Sequence, residues 1–464
     1  MDTNWQPDLL QDGIPKYRAL LNAIREGTEN GELPDGEKLP PVRDMAWQLQ
    51  ITPGTVARAY QLGIDEGFLE AQVGRGTFVK KKETTLRLPR ESFGETHVET
   101  GVVDLRNAAI PYVGQDEVIA DLAARLEFSG NHSMVRYAED WQVPIQQAML
   151  DWMDLGNVRV AAEDLILTYG SQNATLAAFL ATLHGSSPII ATENLILPGT
   201  RQAAALVRAK IVGLATDHEG MIPRALEEMC RRERPQVVHL SANINSPTAT
   251  MMSTSRMAEI ADIARHYDLQ IIEDDGHGKF FPERPTSFLH FCPERVWHVT
   301  SLSRYLAAGL RTGFLLCPPG MGDVGQSVLQ GMGHSFSPMV GQLAMELVRS
   351  GAADTILAKI RAHRQERVRI AVNELGGCWK INWHEAASFV WLELPDGWSA
   401  SAFSLACERQ GIQVAPADVF LPSDGVAPNA VRLSLGGKHR TDIFTDALIK
   451  LDNLLDNPPH EMLA

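Results

Sequence analysis

The chain has 464 residues, 44% of them hydrophobic and 21% charged, which gives room for two or three domains and excludes wholesale disorder, a collagenous repeat and a membrane-dominated class. A formal net charge of −15 excludes a protein that is one large nucleic-acid-binding surface, although a small domain with a local basic patch still reads DNA. The five cysteines are scattered and lack CxxC spacing, MDTNWQPDLL lacks the layout of a signal peptide, and no apolar run nears the roughly 20 residues of a membrane span, so a cytoplasmic protein without disulfides, metal or membrane partner is expected.

The N-terminal stretch PKYRALLNAIREGTENG spaces Tyr17, Leu20, Leu21 and Ile24 along one helical face. GELPDGEKLP is a turn-rich connector. PVRDMAWQLQ then puts Val42, Met45, Ala46 and Leu49 on one side of a second, short helix. Thr52 offers an N-cap with Pro53 at the first position of a third helix. That helix turns Val56, Tyr60 and Ile64 inward and Thr55 and Arg58 outward, and it ends at Gly67. FLEAQVGRGTFVKKK reads as a β-hairpin tipped by Gly74-Arg75-Gly76. Helix, helix, tight turn, helix and wing is the winged helix-turn-helix plan, with its third helix in the major groove. Arg43, Arg58 and Arg75, with Thr52 and Thr55 at the start of the recognition helix, are the candidate DNA-binding residues, since guanidinium groups there reach phosphates or guanine edges. From Pro15 to Val79 the stretch resembles the DNA-binding domain of GntR-type bacterial regulators.

Residues 1–79 are therefore expected to form the DNA-binding domain, and the polar, unpatterned residues 80–103 a linker. In the remaining 104–464, seven strand-length apolar runs alternate with helical segments: DLILTYG, SSPIIATEN, AKIVGLATD, PQVVHLSAN, LQIIEDDG, VWHVTSLS and TGFLLCPP. Such runs predict a mostly parallel sheet buried on both faces, with ligands gathering at the carboxyl ends of its strands. After about Ser337, a long helical stretch followed by SFVWLELP, GIQVAPA and NAVRLSLGG predicts a smaller C-terminal α+β subdomain.

LTYGSQNATLAAFL, NSPTATMMS, IIEDDGHGKF, SLSRYLAAGLRTGF and NAVRLSLGG follow the order and spacing of the fold-type I, aspartate-aminotransferase-like domain. Joined to a GntR-type domain, that fold resembles the MocR subfamily of regulators. The resemblance implies pyridoxal phosphate as cofactor, a homodimer on a double-stranded DNA operator, and a small-molecule effector. It assigns the phosphate cradle to Ser171, Gln172, Ser301, Ser303 and Arg311, the ring-nitrogen partner to Asp274, the ring-hydroxyl partner to Asn245, and an effector carboxylate to Arg432. Four positions depart from the family pattern. Arg304 stands at the imine lysine, Gly276 at a tyrosine (with His277 beside it as a substitute donor), Leu197 at the stacking aromatic, and Ala249 at a glycine. A guanidinium stays protonated and is no amine nucleophile, so the resemblance implies a cofactor bound non-covalently or lost, and no catalytic residue. Three readings follow: a regulator that senses a small anionic or amino-acid-type molecule, an aminotransferase with an appended DNA-binding domain, or a DNA-binding protein whose large domain is only a dimerisation scaffold.

Overall fold

The protein is described from a computed structural model that covers residue 5 and residues 16–29, 32–34, 36–65, 68–72, 76–80, 101–107, 109–127, 141–423, 425–437 and 439–458. The chain divides into two compact units, residues 1–87 and 88–464.

In the first unit, α1 (Lys16–Glu29), α2 (Val42–Gln48) and α3 (Pro53–Asp65) precede a hairpin of β1 (Leu69–Gln72) and β2 (Gly76–Val79). The expected faces are the buried ones: Leu20, Leu21, Ile24, Met45, Ala46, Val56 and Tyr60 form one core, while Ile64 is half-buried at its margin. Apolar burial holds so small a unit together, and the Tyr60 hydroxyl donates to the Pro40 carbonyl at 2.9 Å, so that its polar end is satisfied. Thr52 caps α3, its hydroxyl oxygen accepting the Thr55 N–H at 3.3 Å. The antiparallel register pairs Leu69 with Val79 and Gln72 with Gly76. The wing tip with Arg75, and most of the expected linker, lie outside the described residues.

In the second unit, the seven apolar runs form one seven-stranded sheet. In chain order its strands are Leu165–Thr168, Ile189–Glu193, Lys210–Leu214, Val237–Leu240, Gln270–Asp274, Val296–Ser301 and Gly313–Leu316. In space, counted by place in the chain, they run first, seventh, sixth, fifth, fourth, second, third, and only the Gly313–Leu316 strand is antiparallel to its neighbours. Helices cover both faces. One core gathers Ala174, Phe179, Ala203 and Leu329, and the other Ile145, Met149, Leu226, Ile260 and Leu347. A sheet buried on both sides needs such continuous apolar strands.

The register aligns the strand ends. Gly313 pairs with Ser301 on one side and with Thr168 on the other. The antiparallel strand thus delivers Arg311 to the end where Thr168 leads into Gly170 and Ser171, and where Ser301 stands. A Cβ on Gly313 would lie 2.4 Å from the Gly170 carbonyl carbon, so only glycine lets the two backbones pass.

The smaller subdomain is an antiparallel sheet of Ile381–Asn382, Phe389–Glu393, Ala430–Ser434 and Ala415–Pro416, covered by helices Ala352–Leu375, Ala400–Arg409 and Thr441–Leu455. Val103–Asp104 pairs in parallel with Ile412–Gln413. Residue 103 is therefore part of a strand and not of the linker, because Val103 donates its N–H to Gly411 and buries its side chain in this core. No described helix is long and apolar enough to cross a membrane.

Candidate functional site: an anion cradle and a cluster of arginines

In the first unit, Arg43 on α2, Thr52 just before α3 and Arg58 on α3 are exposed, and Thr55 is half-buried. The Arg58 guanidinium lies 4.2 Å from the centre of the Tyr17 ring, which pre-orders the side chain while leaving its N–H edge open. Trp47, absent from the candidates named above, is 83% exposed one turn beyond Arg43 and shares its face of α2. A large aromatic so exposed beside an arginine marks a contact surface.

In the second unit the strand ends carry the candidate site. Gly170, at φ 86°, caps the helix Ser171–Thr182, so the first N–H groups of that helix face the strand ends. Arg311 has left-handed backbone, donates from Nη2 to the Tyr169 carbonyl at 3.0 Å, and lies against Gly170. Ser301 is buried nearby, and the buried Ser303 hydroxyl has no hydrogen-bond partner. Gln172 is turned away and donates to the Gly199 carbonyl at 2.6 Å. The structure thus brings Ser171, Ser301, Ser303 and Arg311, the residues expected to hold a phosphate, to one end of the sheet, while Gln172 is held against Gly199.

The ring end differs. Asp274 closes the strand Gln270–Asp274; burial pushes its carboxyl up, and the nearby Arg304 guanidinium pulls it back down. Arg304 is half-buried, and a Cβ on Gly276 would lie 3.2 Å from its Cδ and Nε, so the missing side chain at 276 is what makes room for Arg304. Asn245 donates one amide N–H at 2.5 Å to the buried Glu193 carboxylate, and its oxygen accepts the Thr248 hydroxyl at 3.0 Å. Burial pushes Glu193 up to about 7, against the opposing pull of the Ser241 N–H and the Asn245 amide. The neighbouring Ser246 faces the small subdomain and accepts from Arg432 at 3.1 Å.

The cavity lined by Glu193, Leu197, His239, Asn245, Ser246 and Asp274 has a volume of about 10 Å³, the room of roughly one water. Leu197 and His239 line this cavity and no lysine does, so it offers no amine for an imine. Lys279 supplies no amine here. Its Nζ lies 4.9 Å from the Trp152 ring centre, in a separate cleft of about 210 Å³ shared with Arg284 and Arg361. His277 is buried with Nε2 unpartnered, and burial, Arg304 and Arg364 hold it well below its usual value, so it is neutral.

Arg432, on the strand Ala430–Ser434, is 6% exposed, and its hydrogen bonds go to the Ser246 hydroxyl and the Arg106 carbonyl, with Nε unpartnered. Burial and the charge of Arg304 lower it to about 9. Its guanidinium also lies over the Phe420 ring at 4.7 Å and the Phe389 ring at 5.6 Å, so it has neutral hydrogen-bond acceptors and aromatic faces but no carboxylate hydrogen-bonded to it, and a buried charge so placed is costly unless an anion joins it.

Behind Asp274, Glu273 and Asp275 enclose His298, with Nδ1 at 3.0 Å from Glu273 and Nε2 at 3.5 Å from Asp275; Arg284 pairs with Asp275, and Ser287 donates to Glu273. Burial would lower His298, but the two carboxylates outweigh it and raise it to about 9. A raised folded-state value adds stability that is whole below the unfolded value of about 6.5 and is lost as pH climbs to about 9. The second unit is therefore expected to lose a few kcal/mol of stability over that window. His298→Gln should flatten the slope in urea midpoints measured from pH 6 to 9.

The sheet order, the crossovers and the small C-terminal subdomain define an aminotransferase fold. The chain matches the family "Aminotransferase class I and II" over residues 107–447 and belongs to it. Residues 16–79 match "Bacterial regulatory proteins, gntR family", and the two together place the chain in the MocR subfamily of GntR-type regulators. It is similar to the HTH-type transcriptional regulator YdeF of Bacillus subtilis, 27% identical over 98% of this chain and 97% of that one. It is also similar to the MocR regulatory protein of Rhizobium meliloti, 24% identical over 77% of each. Among solved structures, the α-aminoadipate aminotransferase LysN of Thermus thermophilus shares the fold at a TM-score of 0.67 and 23% identity, over 77% of this chain and 93% of that one. The chain is a DNA-binding transcription regulator with an aminotransferase-like domain.

Proposed function

We propose that the second unit senses a small anionic or amino-acid-type molecule and passes its binding to the DNA-binding unit, and that covalent pyridoxal phosphate chemistry has been given up. Arg304 stands in place of the imine-forming lysine, so the chain holds no catalytic residue for transamination. The observation that carries the reading is Arg432, buried, with an unpartnered Nε and no carboxylate among its hydrogen-bond partners. An effector carboxylate supplies the bidentate partner it lacks. Residues 1–79 bind the operator, Arg75 at the wing tip included, residues 80–102 link them to the sensor, and a cytoplasmic homodimer reads two half-sites. Effector binding changes DNA affinity only by as much as it distinguishes two arrangements of the protein.

The retained Asp274 and Arg432 favour a second reading, an aminotransferase carrying a DNA-binding domain, and one experiment separates the two. The purified protein is incubated with pyridoxal phosphate, reduced with borohydride and digested. No pyridoxylated lysine peptide is expected at the site, whereas a single modified lysine together with visible aldimine absorbance would establish the enzyme. A melting temperature that no amino acid, carboxylate or pyridoxal phosphate raises would favour a mere scaffold, because a ligand that binds only the folded state must stabilise it.

A further inference from the structure

We propose that Arg304 is itself a ligand-binding side chain, and that with Arg432 it selects a small dianion carrying two carboxylates, bound directly. This inference rests on the sensor reading above and narrows it to a chemical class.

Three guanidiniums share this part of the interior. Arg304 is half-buried, and Arg364 and Arg432 are 2% and 6% exposed. Arg364 stacks on Phe280 at 3.7 Å and donates to the Arg304 carbonyl at 3.2 Å, so it holds the backbone from which Arg304 projects. Its Nε and Nη1 are buried without partners. The hydrogen bonds of Arg364 and Arg432 thus end on neutral oxygens.

The three cations also repel one another. Burial and the charge of Arg304 bring both Arg364 and Arg432 down to about 9. The carboxylates around them do not balance this. Asp275 is engaged by Arg284 and His298, Asp104 by Arg106, and burial raises Glu193 to about 7, which takes much of its charge away. Asp274 remains, so three cations and one carboxylate leave two positive charges. His277 and His363, the histidines beside these arginines, are both held below their usual values by burial and by the neighbouring guanidiniums, and stay neutral.

Such a site wants two negative charges. A monocarboxylate leaves one guanidinium unmatched, and the ammonium of an amino acid adds to the excess. Two carboxylates match Arg304 and Arg432 one for one, each in the bidentate geometry that guanidinium favours. A lysine at 304 would offer one point charge in place of that fork. Gly276 fits the same purpose, since any side chain there would press on Arg304.

The test is calorimetric titration and thermal shift on the full-length protein with succinate, glutarate and 2-oxoglutarate. Acetate, glutamate, inorganic phosphate and pyridoxal phosphate form the other arms. At least one dicarboxylate is expected to bind and to raise the melting temperature. Its affinity should fall about ten-fold or more in Arg304→Ala and less in Arg304→Lys, which keeps the charge. Arg304→Met, matching the length of the aliphatic stem, checks that the loss reflects charge and not folding. Equal affinity in wild type and Arg304→Ala would overturn the proposal, as would acetate, glutamate or phosphate binding as tightly as the best dicarboxylate. If glutamate or pyridoxal phosphate binds and none of succinate, glutarate and 2-oxoglutarate does, this inference fails while the sensor reading stands. If no compound binds, both fail.

Discussion

Arg284→Ala is expected to destabilise the second unit by about 3–5 kcal/mol, seen as a shift of its urea midpoint at pH 7 without loss of the first unit's transition. Arg284 is the cation that faces Asp275, itself 1% exposed, and together with His298 it neutralises the two carboxylates Glu273 and Asp275. Removing it strands a buried charge. Burial would raise Asp275, but Arg284 and His298 hold it well below the usual carboxylate range, so at neutral pH the deserted group would be ionised or would have to take up a proton at a cost. Asp275 also accepts the Gly278 N–H at 2.7 Å, and its own N–H donates to the Val299 carbonyl at 2.8 Å. The damage should therefore spread to Asp274 and Gly276, one residue to either side. If the midpoint moves by less than 1 kcal/mol, the network is no mainstay of the fold and Asp274 owes its place to the strand alone.

The second large effect falls on DNA binding. Arg43→Ala and Arg58→Ala are each expected to weaken binding to the DNA upstream of the protein's own coding sequence by about 1–3 kcal/mol, and to lower the salt slope of binding by about one for every phosphate that the variant no longer neutralises. Both side chains are exposed, so neither change should alter the melting of the first unit by more than about 0.5 kcal/mol. Fluorescence anisotropy at several salt concentrations separates the two effects. Unchanged affinity in the double variant would show that α3 does not enter the major groove as the winged-helix plan requires.

The architecture was legible wherever burial leaves a mark on composition. Seven runs such as LQIIEDDG and TGFLLCPP became the seven strands, because a strand covered on both faces must be apolar throughout. Composition does not encode strand direction, so nothing in TGFLLCPP announces that its strand runs against the others. The N-cap of Thr52 and the inward stripe of α3 were readable because capping and periodicity are local.

The site was legible where the fold fixes the backbone, and less so where side chains choose among partners. Ser301, Ser303 and Arg311 meet at one end because strand register puts them there. Asn245 turns to Glu193 instead, and Glu193 went unnoticed because an acid ending IIATE looks solvated until the fold buries it. Arg364 was missed for the same reason. In RAHRQERVR it is one of several arginines that suit an exposed helix, and only three-dimensional packing shows it 2% exposed. A charged residue closing an apolar strand, as in Glu193, is the signal that could have found the first. None was available for the second.

Arg432 projects from the small sheet and donates to Ser246 on the loop that follows the Val237–Leu240 strand of the large one. The same N–H groups that would grip a ligand now fasten the two layers of the second unit to each other. A carboxylate arriving there exchanges an internal fastening for an external one, so occupancy and the posture of the small subdomain are drawn from a single stock of hydrogen bonds. Under the sensor reading proposed above, such a receptor would report its cargo mechanically, with no chemical step.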